Sequence, residues 1–456
     1  MKATASGRAD ECLTALKSSL SDGALVLDDD IVEAYRHDRA RTIVPGRPLA
    51  LVRASSVADV EATVAVAARF GVPIVPRGAG TGLSGGSSAV DGAITLSVER
   101  LRSIEIDPLT MTAVVGPGAL NAEVKAAARA HGLWYPPDPS SFEICSIGGN
   151  IATNAGGLCC VRYGVTTDYV LALQVVLPDG RTVRLGGTTI KNVAGYDLKR
   201  LFIGSEGTLG IVTEATLRLR PVPPPVSTVA ATFDDVRAAA HAVTAILQQV
   251  RPSALELMDA AAVAAVEAVR PMGLDSVGAV LLAQHDVHPV AERMAELMES
   301  AGAGFVAATA DQDEGEMLMG ARRMAIPCVE RLGAVLIEDV GVPIPGIPDL
   351  LDAVERIASE HRTSVPVIGH AGDGNFHPLV TFHPGDADAT ARAELAFHDI
   401  MRAALDLGGT VTGEHGIGSL KAGHLRDQLG DDVMDLTRRV KAAIDPLGIM
   451  NPGKWV

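Results

Sequence analysis

Pro76-Arg77-Gly78-Ala79-Gly80-Thr81-Gly82-Leu83-Ser84-Gly85-Gly86 is the stretch on which the fold turns. It follows the apolar run Val72 to Val75 and carries almost no side-chain bulk. Glycine lets a main chain approach a ligand closely and turn where a Cβ would clash. Successive N–H groups in such a turn form a concave anion site, and a pyrophosphate is the natural guest. Gly80, Gly82 and Gly85 even have G-x-G-x-x-G spacing, with an acid, Glu105, further on. A nicotinamide-type turn, however, needs a helix opening at the third glycine, so that its N-terminus faces the phosphates. Here Gly85-Gly86-Ser87-Ser88 runs into Val90-Asp91-Gly92 and then an apolar, β-rich run, Ala93 to Leu96. The spacing fits a Rossmann turn and the context does not.

Working outward, two further tracts share this texture. One runs through Pro136-Pro137-Asp138-Pro139-Ser140-Ser141 and Ser146-Ile147-Gly148-Gly149 to Asn154-Ala155-Gly156-Gly157. The other is Gly204-Ser205-Glu206-Gly207-Thr208-Leu209-Gly210-Ile211-Val212. A single such loop reads as surface; several in one half of a chain read as one extended ligand followed by the main chain.

The bulk numbers set the frame. The chain has 456 residues, 47% hydrophobic and 21% charged, with a formal net charge of −16. That length and core suggest two or three domains. The acidic balance argues against nucleic acid or an anionic membrane as the main partner. No apolar run is long enough to span a bilayer, and the start lacks the layout of a signal peptide. The five cysteines, Cys12, Cys145, Cys159, Cys160 and Cys328, form no C-x-x-C pair. A reducing cytoplasm is therefore expected, without an iron–sulfur cluster or zinc ribbon in the chain.

Pattern reading predicts a helical N-terminal piece over residues 9–42. Ser56-Val57-Ala58-Asp59 has the signature of a helix start, and that helix should stop at Gly71. Strands are expected at Leu49–Val52, Val72–Pro76, Thr112–Val115 and Ala334–Ile337, and a hairpin from Val170 to Leu185. The cluster Pro221, Pro223, Pro224, Pro225 reads as a linker. Beyond it, alanine-rich helices alternate with strands in an α+β pattern.

Three of the twelve histidines are not isolated. His370-Ala371-Gly372-Asp373-Gly374-Asn375-Phe376-His377 puts two imidazoles at the ends of a glycine-bearing turn, and Gly413-Glu414-His415-Gly416 adds a carboxylate and a third. Two histidines with a carboxylate make a divalent site that leaves positions open for substrate. A histidine-rich hydrogen-bonded core is the plain alternative. Asp373 is either a fourth ligand or a turn cap.

Taken together, the three tracts resemble the FAD-binding domain of the vanillyl-alcohol oxidase / p-cresol methylhydroxylase superfamily. Within it the chain is similar to the branch of FAD-linked D-2-hydroxyacid dehydrogenases, from about residue 40 to the end. The resemblance implies an α+β architecture: an N-terminal helical segment (1–42), a two-subdomain FAD-binding domain of the p-cresol methylhydroxylase type (43–222), a substrate or cap domain (223–410), and a helical C-terminal segment returning to the flavin (411–456). It assigns Pro76, Arg77, Gly78, Ala79, Gly80, Thr81, Gly82, Leu83 and Ser84 to the pyrophosphate. It sets Pro137, Ser146, Gly149, Asn154, Gly157, Glu206 and Ile211 along the adenine and isoalloxazine path, with Asn451 returning to the flavin. No histidine stands in the first tract, so the FAD is expected to be non-covalent.

The same resemblance assigns His370, His377 and Glu414 to a divalent metal (Zn, Mn or Fe) and His415 to the catalytic base. Arg322 matches the family's substrate-carboxylate arginine, a role suited to a bidentate guanidinium; its neighbour Arg323 is the competing choice. Relatives acting on 2-hydroxyglutarate carry Asn where this chain has Leu379, which points to a small or apolar substrate such as glycolate or D-lactate. The implied reaction is oxidation of a D-2-hydroxy acid to its 2-oxo acid. No second redox motif is visible, so electrons must pass to a quinone, cytochrome, electron-transfer flavoprotein, partner subunit or oxygen. A homodimer stays open. Two rivals remain on this scaffold: an alditol or phenol oxidase without the metal, and a non-catalytic flavin subunit of a larger complex.

Overall fold

The computed structural model describes residues 5–40, 42–274 and 276–456. The expected N-terminal helical piece therefore touches residue 41, which lies outside the described residues. The chain divides into two compact units: residues 1–155, 165–222 and 414–456 form the first, and 156–164 with 223–413 the second.

In the first unit, β1 (Leu25–Val26), β2 (Ala50–Arg53), β3 (Ile74–Arg77) and β4 (Ile94–Ser97) form a sheet of order β1-β2-β4-β3. The strands β2, β4 and β3 run parallel. The helix Val57–Phe70 makes the crossover between β2 and β3. Its N-cap Ser56 and Asp59 form a reciprocal capping box, and Gly71 ends it at φ +63°. Its buried Val60, Val64 and Ala67 pack on Ile74, Ile94 and Leu96. Each such valine contributes about 1.5–3 kcal/mol on leaving water. The expected helical piece before it proves to be two short helices, Ala5–Ser19 and Asp29–Ala34, with β1 between them. Asp28-Asp29-Asp30, expected to begin a short turn or helix, does so: Asp28 is the N-cap of the second helix.

Asp59 also accepts hydrogen bonds from Ser21 N–H and Oγ and from Ser55 N–H and Oγ, all at 2.9 Å. Burial alone pushes this carboxyl up, but the hydrogen bonds outweigh it and hold the group down at about 2, below its ordinary 3.8. A depressed carboxyl stabilises the fold above the ordinary value and loses that contribution as pH falls toward the folded one. Asp59→Asn should therefore cost about 2 kcal/mol at pH 7. Urea unfolding checks this: the gap from the parent should narrow as pH drops below 4 toward 2. A gap independent of pH would remove the electrostatic part of the account.

A second sheet of this unit has the order β5-β6-β10-β8-β9, built from β5 (Ile104–Asp107), β6 (Thr112–Val115), β8 (Val170–Val176), β9 (Thr182–Gly186) and β10 (Ile211–Arg218). The short β7 (Leu133–Trp134) pairs with β11 (Arg220–Pro221). The predicted hairpin is the antiparallel pair β8 and β9. Within the second glycine tract, Ile147–Thr153 is helical with Ser146 as N-cap.

The second unit is built on one antiparallel sheet of order β15-β12-β14-β13-β18-β19-β16, with β17 beside β19. Its strands are β12 (Ser227–Phe233), β13 (Ala254–Asp259), β14 (Ala279–His285), β15 (Phe305–Thr309), β16 (Ala334–Ile337), β17 (Val340–Gly341), β18 (Val367–His370) and β19 (Asn375–Phe382). Met258, Ile368 and Leu379 of this sheet share a buried apolar cluster with Ala262, Val263, Met319, Ala325 and Cys328. Those last five belong to the helices Ala260–Glu267, Gln312–Arg323 and Ala325–Glu330. Among the described residues no helix is long and apolar enough to cross a membrane.

Candidate functional site

Sheet register places the second unit's polar residues. Glu256 of β13 lies opposite His370 of β18, and Met258 opposite Ile368. Ile368 in turn lies opposite His377 of β19. Paired residues share a face and every second residue along a strand returns to it. Glu256, His370 and His377 therefore point the same way as the core residues Met258, Ile368 and Leu379. His370 and His377 do not sit symmetrically at the ends of a turn: Asn375 is the residue opposite His370. The two histidines meet on a diagonal, with ring centroids 5.3 Å apart and planes at 83°. A ring nitrogen of one lies within 4.8 Å of a ring nitrogen of the other.

Each ring is held from behind. His370 Nδ1 lies 2.8 and 3.0 Å from the two carboxylate oxygens of Glu256. His377 Nδ1 lies 3.3 Å from the Glu338 carbonyl oxygen, with an Asp339 carboxylate oxygen at 3.8 Å. Carboxylate and carbonyl oxygens only accept, so Nδ1 is the donor of each ring in these contacts, and Nε2 lies on the opposite side of the ring. That is how metal-binding imidazoles are oriented. The donor set therefore fits a divalent cation. Asp339 Oδ2 also accepts from Thr412 Oγ1 at 2.6 Å and from Gly413 N–H at 2.9 Å. Asp373 is exposed in the turn. The acids that support the histidines are Glu256 and Asp339, which sequence reasoning missed. A usable signal existed: Glu256 is a charge inside an apolar strand run and Asp339 one between two such runs, and a buried charge demands a partner.

The two neighbouring arginines part company. Arg323 turns to the exposed Glu316. Arg322 is 3% exposed, and its Nη2 lies 3.0 Å from Glu256 Oε2. Its Nε has no hydrogen-bond partner among the described residues. A buried guanidinium with an unused donor edge calls for an acceptor.

In the first unit, residues 78–83 are half-buried, between the buried Arg77 and Ser84. Arg77 Nη1 donates to the His37 carbonyl. Gly80 turns at φ +71°, and a Cβ there would collide with that guanidinium. Ser146 Oγ accepts from Ala79 N–H and Gly149 N–H at 3.2 and 3.4 Å, tying the first tract to the second. Several expected cofactor residues thus use their side chains to shape the loop frame, leaving its thin main chain as the surface for a ligand. Asn154 Oδ1 accepts from Thr167 N–H, and Asn451 Nδ2 donates to the Gly86 and Glu206 carbonyls. Ile211 packs in the apolar core, Pro137 is buried, and Gly157 lies in the second unit. A narrow glycine-lined frame of this kind fits an extended dinucleotide.

The base candidate joins that frame. Ser84 Oγ donates to the His415 carbonyl at 3.2 Å, and the Ser84 carbonyl accepts from Ser419 and Leu420 N–H. Gly418 makes this contact possible, since a Cβ there would run into the Ser84 carbonyl. Glu206 accepts from Ile417 N–H and Gly418 N–H at 2.8 Å each. Burial pushes the Glu206 carboxyl up to about 7, against the pull of those two N–H groups. Glu206 thus fastens the segment that carries Glu414 and His415, whose side chains lie 3.7 Å apart.

Two family models match the chain: "FAD binding domain" over residues 48–186 and "FAD linked oxidases, C-terminal domain" over residues 222–455. The glycolate oxidase subunit GlcD of Bacillus subtilis is 40% identical over 89% of this chain and 88% of its own length. A D-lactate dehydrogenase of Archaeoglobus fulgidus is 35% identical over 93% of this chain and 96% of its own. Among solved structures, p-cresol methylhydroxylase with substrate bound superposes with a TM-score of 0.83 at 16% identity, covering 100% of this chain and 98% of that one. That last likeness speaks for the fold alone.

Proposed function

The chain belongs to the FAD-linked oxidases, and on that footing we propose that it oxidises a small D-2-hydroxy acid, of the glycolate or D-lactate type, to the 2-oxo acid. One observation carries the substrate class: the buried Arg322 with its unused Nε edge, on the helix beside the His370 and His377 pair. A carboxylate satisfies such a guanidinium bidentately. The neighbouring face is apolar, with Met258, Ile368 and Leu379 buried, and this supports a short or apolar substituent over a second carboxylate.

Arg322 binds and orients the substrate carboxylate. His370, His377 and Glu414 would hold a divalent cation; Glu414 follows directly on Gly413, whose N–H is held by Asp339. When bound, that cation would supply Lewis acidity at the substrate hydroxyl. His415 takes the hydroxyl proton. The Cα hydrogen leaves with its electron pair, and non-covalently bound FAD supplies the acceptor. Arg77 to Ser84, Ser146 and Gly149 hold the FAD in this reading. Electrons then leave to a separate acceptor, which a partner subunit would provide. No disulfide joins the five cysteines, which suits a cytoplasmic site of action.

The test is an anaerobic panel of glycolate, D-lactate and L-lactate, followed at the flavin band near ~450 nm, where the cofactor's own electronics place it. D-lactate or glycolate should bleach the band. No bleaching by any 2-hydroxy acid would end this reading. A chelator should abolish the bleaching and added divalent metal restore it; reduction indifferent to chelator would favour a metal-free oxidase on the same scaffold.

A further inference from the structure

We propose that Glu256 is a positioning residue shared by the metal and substrate ends of the site, so that one buried carboxylate sets both the ring of His370 and the guanidinium of Arg322. The proposal rests on the metal and substrate roles given to those two residues above. Glu256 is 1% exposed, on a strand hydrogen-bonded on both sides, to β14 and β18. It cannot swing to solvent, and apart from its partners the face around it is apolar, with Met258, Ile368 and Leu379. Its partners are an imidazole N–H at 2.8 Å from Oε1 and a guanidinium nitrogen at 3.0 Å from Oε2. The Arg322 contact has the distance of an ion pair without the alignment of a hydrogen bond. The carboxylate is therefore aimed at His370 and only leans on Arg322.

Two physical consequences separate this from a plain structural ion pair. A carboxylate behind Nδ1 raises the basicity of Nε2 and fixes the tautomer that binds metal. The same charge balances the buried guanidinium while leaving its Nε edge for substrate, so Arg322 stays in place without being saturated. Loss of the charge at residue 256 should thus weaken metal binding even where the protein stays folded and keeps its FAD.

The experiment titrates Zn²⁺ into purified, chelator-stripped protein against a chromophoric competitor. It compares the parent chain with Glu256→Gln and Glu256→Asp, alongside thermal midpoint and flavin content. Glu256→Gln should bind Zn²⁺ ten- to a hundredfold more weakly, the usual scale for a partner behind a metal-bound histidine, with flavin content unchanged. Glu256→Asp keeps the charge beside Arg322 and guards against failure of the Gln variant to fold. Its shorter arm should still loosen Zn²⁺ by about tenfold and raise KM for the hydroxy acid more than it lowers kcat. Parent-like Zn²⁺ affinity in the folded variants would overturn the proposal. A parent chain that binds no divalent ion would instead bring down the metal reading itself, and this inference with it.

Discussion

Arg322→Met should retain FAD and lose kcat/KM for the 2-hydroxy acid by a factor of about 10² to 10³. Removing one partner of a buried, hydrogen-bonded charge pair costs about 3–5 kcal/mol, and each 1.36 kcal/mol is tenfold in rate. Loss at the low end of that range is expected because the apolar face still contributes binding. Arg322→Lys keeps the charge but not the planar fork, so it should recover only part of the loss. Stopped-flow reduction of the flavin against substrate concentration separates the terms: the Lys variant should show mainly a raised apparent Kd. A Met variant reduced at the parent rate would take the carboxylate role away from this residue.

His415→Ala should show the complementary pattern. Substrate binding is retained while the rate of flavin reduction falls by about 10² to 10⁴, the usual contribution of a positioned acid–base group. The protein should stay yellow, because the segment is held by main-chain contacts that alanine preserves: the residue 415 carbonyl to Ser84 Oγ, and Ile417 and Gly418 N–H to Glu206. Loss of bound FAD in this variant would mean that the side chain supports the loop frame rather than the chemistry. An unchanged reduction rate would mean that another group takes the proton.

Much of the scaffold was legible because local rules and the tertiary fold agree. Ser56 and Asp59 announce a helix that Gly71 ends, and that helix is present as read. Thr112–Val115 and Ala334–Ile337 are strands with the expected bounds. The glycine tracts were legible as a group because a thin main chain has few uses other than close approach. What stayed hidden depends on pairing across the sheet. The strand β19 contains Pro378, which argues against an interior strand, yet it is flanked by β18 and β16. With that strand unread, the diagonal meeting of His370 and His377 could not be derived, and neither could the place of Glu256 behind them. Glu256 and Asp339 are distant in sequence from the histidines they support; the register of β13 with β18 brings Glu256 to His370, and the pairing of β16 and β17 with β19 brings Asp339 to His377. Resemblance favoured Arg322 over Arg323, but residue pattern alone did not separate them. Adjacent residues on one helix point about 100° apart, and only the packed structure says which of them faces inward.

The return of the C-terminal segment has a consequence for how the molecule is made. Asn451 N–H bonds to the Ile74 carbonyl, and Ile74 N–H to that of Ile449. Lys454 Nζ donates to the Ser88 carbonyl. The edge strand that opens into the first glycine tract is thus completed by residues far later in the chain. Every strand of the second unit's sheet has been synthesised by Phe382, so that sheet has all its partners while the nascent chain is still attached to the ribosome. The FAD-binding unit must wait, with Ile74 and its parallel neighbours built but one flank unfinished, until Asn451 and Lys454 emerge. Contacts of such long sequence separation are slow to close.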